Sequence, residues 1–315
     1  MSPELNELYV RLADGRRHNG AELAGELGIS RAAVWKRIES LRRIGLPVEG
    51  TAGDGYRIPH AIELLDAETI GQYLQTPSIR IEVVGAVDST NARLALREPI
   101  HGHALVAEAQ KAGRGRRGRR WLSPPGGIYL SLGWQFESGL AGLSPLSLVV
   151  GMAAARTLHE AGAEDVRVKW PNDLFIHDAK LGGCLVEVSG AAEGPCQAVI
   201  GIGINLELPE SAAVDQPWTS LSRHAKGFSR NRLVAGLLTH LAGDLATLDR
   251  SGFDAFAGQW PGFDALADRK VHVSMAGGDD FTGLSRGIDA QGRLLVEHGD
   301  TLQALGSGEV SIRGR

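Results

Sequence analysis

Two cysteines in 315 residues, Cys184 and Cys196, are too few for a disulfide framework or a zinc site. No apolar run approaches the roughly 20 residues that a membrane span needs, and the N-terminus (Met1-Ser-Pro-Glu-Leu-Asn) lacks the basic-then-apolar layout of a secretion signal. The expected location is therefore the cytoplasm, with no membrane partner. A net charge of −4 excludes a protein that is basic all over, so any contact with nucleic acid must come from a local patch. Gly-Lys-Ser/Thr is absent, which rules out a Walker A loop, and Gly201-Ile-Gly-Ile-Asn205 lacks the third glycine of a dinucleotide fingerprint. What remains is an ordinary globular composition, 43% hydrophobic and 22% charged, in a chain long enough for two or three domains.

Three segments with different patterns follow one another, and together they predict an α+β multidomain protein. Residues 1–62 read as helices and a hairpin. Leu5, Leu8, Tyr9 and Leu12 mark one helix, residues 21–27 a second, and residues 31–44 a third that buries Val34, Ile38 and Leu41. Ser30 stands where an N-cap belongs. Arg31, Lys36, Arg37, Arg42 and Arg43 face outward against Glu39, and the glycine-rich stretch 48–58 reads as a wing. This is a winged helix-turn-helix, in which one helix enters the major groove and the wing touches backbone. Ser30, Arg31, Trp35, Lys36, Arg37 and Thr51 are the expected DNA contacts; a solvated three-helix interaction module is the plainer alternative.

Residues 63–266 alternate strands (79–87, 104–109, 127–136, 166–170, 199–206) with helices (146–161, 231–248), and a hairpin over 173–188 turns at Asp178. A mixed, largely antiparallel sheet with helices on one side is expected. Residues 267–315 hold short strands (271–275, 280–288, 294–297, 301–312) punctuated by Gly277, Gly287, Gly292, Gly299 and Gly306, the pattern of a small barrel.

The chemistry concentrates in a few motifs. Gly113 to Arg119 packs four arginines and three glycines into seven residues. Glycines let backbone fold closely round a ligand and guanidinium groups grip carboxylate or phosphate in pairs, so this loop is expected to order by closing over an anion. The other reading is a basic surface tract. Asp88-Ser-Thr-Asn91 ends a strand with side chains suited to a small polar ligand, or caps the next helix. Lys169-Trp-Pro-Asn-Asp173 ends another strand, and Lys180-Leu-Gly-Gly-Cys-Leu-Val-Glu187 begins the return.

In this order the motifs resemble the bifunctional biotin–protein ligases that also repress biotin synthesis genes. The resemblance runs over the whole chain, and Gly113-Arg-Gly-Arg-Arg-Gly118 with Lys169-Trp-Pro-Asn-Asp173 carry it most specifically. Gly182-Gly183 is a small departure where the family often has Ala-Gly. The resemblance implies a class II synthetase-like central domain and a C-terminal SH3-like barrel. It also implies ATP and biotin as substrates with Mg²⁺ as the triphosphate's counter-ion, and biotinoyl-5′-AMP as the intermediate. Ser89, Thr90, Asn91, Gln110, Arg114, Gly115, Arg116 and Lys180 match the family's biotin contacts. Trp121, Asn172 and Asn205 match its nucleotide contacts, while Arg116, Lys180 and Asp173 match its catalytic groups. Asp173 would either help place Mg²⁺ or orient the acceptor amine. The implied partners are apo biotin carboxyl carrier protein, operator DNA, and a second copy of the chain recruited by biotinoyl-AMP. Alternatives are a ligase whose winged helix does not repress, a non-catalytic biotin-sensing regulator, and a ligase for a related acid such as lipoate.

Overall fold

The computed structural model describes residues 3–51, 53–76, 78–208, 216–275, 280–307 and 310–314. At the N-terminus, α1 (Pro3–Leu12), α2 (Gly20–Glu26) and α3 (Arg31–Arg43) enclose a core of Leu8, Tyr9, Leu12, Leu23, Val34, Ile38 and Leu41. Asn19 caps α2, and Ser30 caps α3 by accepting from Ala33 N at 3.2 Å. The wing is an antiparallel pair, β1 (Glu49–Thr51) and β2 (Gly55–Arg57), with Gly50 opposite Tyr56. Residue 52 of the expected wing lies outside the described residues.

The middle of the chain forms α4 (Ala67–Tyr73), β3 (Arg80–Val87), α5 (Thr90–Leu94), β4 (His103–Gln110), β5 (Ile128–Phe136), α6 (Leu146–Glu160), β6 (Val166–Lys169), β7 (Asp173–Ile176), β8 (Ala179–Gly190), β9 (Cys196–Ile204), α7 (Arg230–Ser251) and α8 (Asp254–Ala257). Seven strands make one sheet in the order β3-β4-β5-β9-β8-β7-β6; β3 and β4 run parallel and the other neighbours antiparallel. The long helices α6 and α7 share one core with the sheet, as expected. The short α5 packs Leu94 against Val199 of β9 in a separate cluster, and that is where the cleft opens. The hairpin turns between Ile176 and Ala179, with His177 at φ 51°.

The last strands, β10 (Lys270–Met275), β11 (Phe281–Ile288), β12 (Leu294–His298), β13 (Thr301–Leu305) and β14 (Val310–Gly314), form an antiparallel sheet in the order β13-β12-β11-β10-β14. The single strand expected over 301–312 is thus two strands with different neighbours; residues 308–309 and Gly277 lie outside the described residues. This sheet docks on the central one where Trp170 Nε1 donates to Gly292 O at 3.0 Å. Among the described residues no helix is long and apolar enough to cross a membrane.

Candidate active site

The cleft is built first from α5. Ser89 Oγ caps this helix, accepting from Ala92 N at 3.4 Å, and turns Thr90 and Asn91 beneath the surface. Gln110, at the end of β4, accepts from Thr90 N at 2.9 Å and from Thr90 Oγ1 at 3.1 Å through Oε1, and donates to Ser123 Oγ at 2.9 Å. Ser131 Oγ of β5 lies 2.7 Å from Thr90 Oγ1 and 2.6 Å from Asn91 Oδ1. Asn91 Nδ2 donates to Glu187 Oε2 at 2.7 Å and to Leu185 O at 3.2 Å. Buried polar groups are costly unless paired, and here each finds a partner.

The arginine–glycine segment covers this floor. It is a hairpin rather than an open tract: Gly115 N donates to Arg119 O at 2.7 Å and Trp121 N to Gly113 O at 2.8 Å. One turn of 3₁₀ helix, Arg116–Gly118, forms its tip, with Arg117 at φ 57°. Arg116 points inward, donating to Asn172 Oδ1 at 3.2 Å and to Ser307 O in the turn that follows β13. Burial pulls its guanidinium below the usual arginine range, the neighbouring Arg117 adds to this, and Asp173 opposes both. From the opposite wall, Lys180 Nζ meets Asp173 Oδ1 at 2.7 Å and sits 5.3 Å from the centre of the Trp121 ring. Asn172 Nδ2 is held by Cys184 O at 2.7 Å.

These groups enclose a cavity of about 180 Å³. Its lining brings together Ser89, Thr90, Asn91, Gln110, Arg114, Gly115, Arg116, Trp121, Asn172, Asp173 and Lys180. Arg117, Arg119 and Arg120 add further cations, and Asp173 is the one acidic residue in the lining among the described residues. Such a concentration of positive charge in a walled cleft attracts polyanions. Asn205 is the exception among the expected ligand residues. It falls just past the end of β9, buried, with Nδ2 donating to Thr219 O at 3.3 Å, and does not line the cavity.

Two features of the floor went unassigned in the sequence. Ser131 is a fully buried polar residue between Leu130 and Leu132 of β5, a signal that was available. The second is the Gly-Ile-Gly run of β9, a weak pattern by itself. A Cβ on Gly203 would come within 2.5 Å of Trp121 Nε1, and one on Gly201 would collide with Asn91 Oδ1. The glycines are there because site side chains lie flat on the strand.

The expected DNA face is divided. Trp35 is 50% exposed, and Arg31, Lys36 and Thr51 are also exposed. Arg37 turns back to Glu4 O at 3.1 Å. Arg42, expected on the outer face, instead braces the wing, donating to Val48 O at 2.9 Å and Gly50 O at 2.7 Å. Free wing carbonyls captured it.

Comparison with known proteins agrees with this architecture. Residues 84–205 match the biotin/lipoate A/B protein ligase family, residues 5–57 an HTH domain, and residues 268–313 the biotin protein ligase C-terminal domain. The bifunctional ligase/repressor BirA of Salmonella typhimurium is 42% identical over 97% of this chain and 96% of its own. That of Escherichia coli is 41% identical over 98% and 96%. A biotin protein ligase from Aquifex aeolicus, solved with biotin and ATP, superposes with a TM-score of 0.64 at 28% identity, covering 75% of this chain and 99% of that one. With a helix-turn-helix ahead of the ligase fold and identity running through both, the chain belongs to the family of bifunctional ligase/repressor BirA proteins.

Proposed function

We propose that this protein activates biotin with ATP and transfers it to a lysine of apo biotin carboxyl carrier protein, and that the same chain represses biotin synthesis genes. The observation that carries this reading is the convergence of Arg116 and Lys180, 64 residues apart in sequence (180 − 116), on one cleft floored by the polar side chains of α5. A non-catalytic sensor has no need for cations on both walls.

In the first step a carboxylate oxygen of biotin attacks the α-phosphorus of ATP, the bond to pyrophosphate breaks, and biotinoyl-5′-AMP remains. Both reactants are anionic, so cations must hold them together and meet the charge that builds at phosphorus. Lys180 and Arg116 take that role, Lys180 between carboxylate and phosphate, Arg116 on the mixed anhydride. Ser89, Thr90, Asn91, Gln110, Arg114 and Gly115 hold biotin. Trp121 lies along the adenine and Asn172 faces the nucleotide. Mg²⁺ would accompany the triphosphate as its counter-ion, a role that needs few protein carboxylates; Asp173, the one acidic residue of the lining, would help place it, and no cluster of three metal-ligating side chains occurs among the described residues. In the second step the acceptor amine attacks the acyl carbon, AMP leaves and the amine gives up its proton; orienting that amine is the alternative role for Asp173. The hairpin over the cleft keeps water from the intermediate meanwhile.

The division of labour follows residues 1–62 for operator DNA, 63–266 for catalysis and 267–315 as a flanking module, all in the cytoplasm. The edge strand β3, first in the sheet order among the described residues, leads directly into α5 and suits pairing with a second copy when biotinoyl-AMP orders the cleft. Labelled biotin, ATP, Mg²⁺ and an apo carrier domain give labelled acceptor if the reading is right; an unlabelled acceptor sinks it. Operator-length DNA titrated in a salt series tests the repressor half, since phosphate contacts give a steep slope. Sedimentation with and without biotinoyl-AMP tests pairing, and an unchanged mass ends that part.

A further inference from the structure

Glu187 closes the Lys180-Leu-Gly-Gly-Cys-Leu-Val-Glu motif and has no part in the chemistry above. It stands on β8 two residues beyond Leu185, which lines the cleft, and does not line it itself. Its two carboxylate oxygens are divided between two elements, α5 and the covering hairpin. Oε2 accepts from Asn91 Nδ2 on α5 at 2.7 Å, and Oε1 lies 3.4 Å from Arg114 of the covering hairpin.

We infer that Glu187 is a positioning residue for the biotin end of the cleft: its carboxylate fixes the Asn91 amide and, more weakly, tethers the hairpin through Arg114. The inference rests on the ligase reading. Asn91 is 3% exposed, with one side of its amide against Ser131 and the other against Glu187 and Leu185 O. A terminal amide rotated by half a turn would set its NH₂ against Ser131 and its oxygen against two acceptors. The negative charge on Glu187 forbids that rotamer and strengthens the bond that remains. The Arg114 contact is longer and half-exposed, with side chains 46% and 42% exposed, so solvent screens it. A weak tether suits a hairpin that must release product.

The test uses the full chain, with biotin, ATP and an apo carrier domain. Glu187→Ala raises the KM for biotin about tenfold, the loss expected for one charge-assisted hydrogen bond, with little change in kcat or in the KM for ATP. Glu187→Gln restores most of the biotin KM, because its side-chain oxygen still accepts from Asn91. Added to Asn91→Ala, Glu187→Ala does little further harm, since the Asn91 bond is the stronger of its two contacts and the Arg114 tether is screened by solvent. A parental biotin KM in Glu187→Ala, equal damage in Glu187→Gln, or multiplicative effects with Asn91→Ala each overturn the inference. A parent chain that forms no biotinoyl-AMP overturns the ligase reading instead, and the two failures are separate readouts.

Discussion

Tyr9, on the first helix of the DNA-binding segment, donates its phenolic hydroxyl to Glu108 Oε2 at 3.1 Å, two residues before the cleft residue Gln110. Both side chains are buried, and so is Arg230 of α7, which donates to the same oxygen at 2.9 Å and to Gly127 O at 2.8 Å. Leu65 N takes the other carboxylate oxygen at 2.7 Å. Burial, then the charge of Glu108, raises the Tyr9 phenol far above its ordinary range, so it stays a neutral donor. One carboxylate thus joins the N-terminal segment, the linker, the strand below the cleft and the helix behind it.

Removing that carboxylate strands a buried guanidinium. Glu108→Ala is expected to destabilise the fold by about 3–5 kcal/mol, the range for breaking a buried ion pair from one side. Tyr9→Phe leaves Arg230 and Leu65 N in place on Glu108 and costs about 1 kcal/mol. Urea denaturation of the three proteins measures both. Equal losses in the two variants would show that Tyr9, not the ion pair, holds the junction.

The β9 glycines give a prediction with two separable outcomes. Gly203→Ala pushes a methyl into the Trp121 indole, and Gly201→Ala pushes one into the Asn91 carboxamide. Crowding of this kind costs about 1–3 kcal/mol, or roughly a tenfold change or more in affinity. Under the proposed assignments, Gly203→Ala raises the KM for ATP and Gly201→Ala the KM for biotin. Steady-state kinetics with each substrate varied tells them apart; both variants affecting the same substrate would contradict the placement of the two ends.

Much of this was legible beforehand, for physical reasons that can be named. Helical periodicity marked α3 and α7 because a long amphipathic face repeats often enough to stand out, while α6, buried almost all round, stood out by its alanine and leucine content. The motifs around Arg116, Asp173 and Lys180 were legible because arginine, lysine and aspartate are conspicuous against apolar strands. The five-residue α5 was visible only as a possible cap at Ser89, since so short a helix has no period. The separation of β13 from β14 depends on long-range pairing of β14 with β10, which no local pattern records. Asn205 was expected at the nucleotide only through the family resemblance; its amide donates to Thr219 O in the loop after β9, a long-range pairing with no local signature. The role of Glu187 appears only once β8 lies beside α5.

Acid stability provides another check. Asp249 of α7 accepts from Glu137 N at 3.1 Å, Ser138 N at 3.0 Å and Ser138 Oγ at 2.7 Å, tying down the loop after β5. Burial opposes its ionisation, but these donors outweigh burial and hold the carboxyl below the usual aspartate range. A depressed folded-state pKa contributes stability above the unfolded value of about 3.9 and loses it as pH falls through the folded one. Asp249→Ala is therefore expected to cost about 1–3 kcal/mol at neutral pH, with the gap to the parent narrowing below about pH 4. A pH-independent gap would mean that packing, not the charge, is what the substitution removes.

Arg116 reaches Asn172 on one side and Ser307 O on the other, so it closes the cleft by joining the hairpin to the β6–β7 turn and to the turn after β13 at once. Its planar fork makes both contacts together, which a lysine ammonium on a flexible stem does not reproduce. Arg116→Gly removes the clasp and one of the two cations and adds backbone freedom, so biotinoyl-AMP should still form at Lys180, more slowly, but escape. Arg116→Lys keeps the charge and loses the fork, and should leak to an intermediate degree. Gel filtration after a single turnover measures the retained intermediate, and labelling of an added bystander protein such as albumin measures what leaves. Retention in Arg116→Gly as tight as in the parent would show that solvent is excluded by some other part of the molecule, and the hairpin would lose its role as the lid.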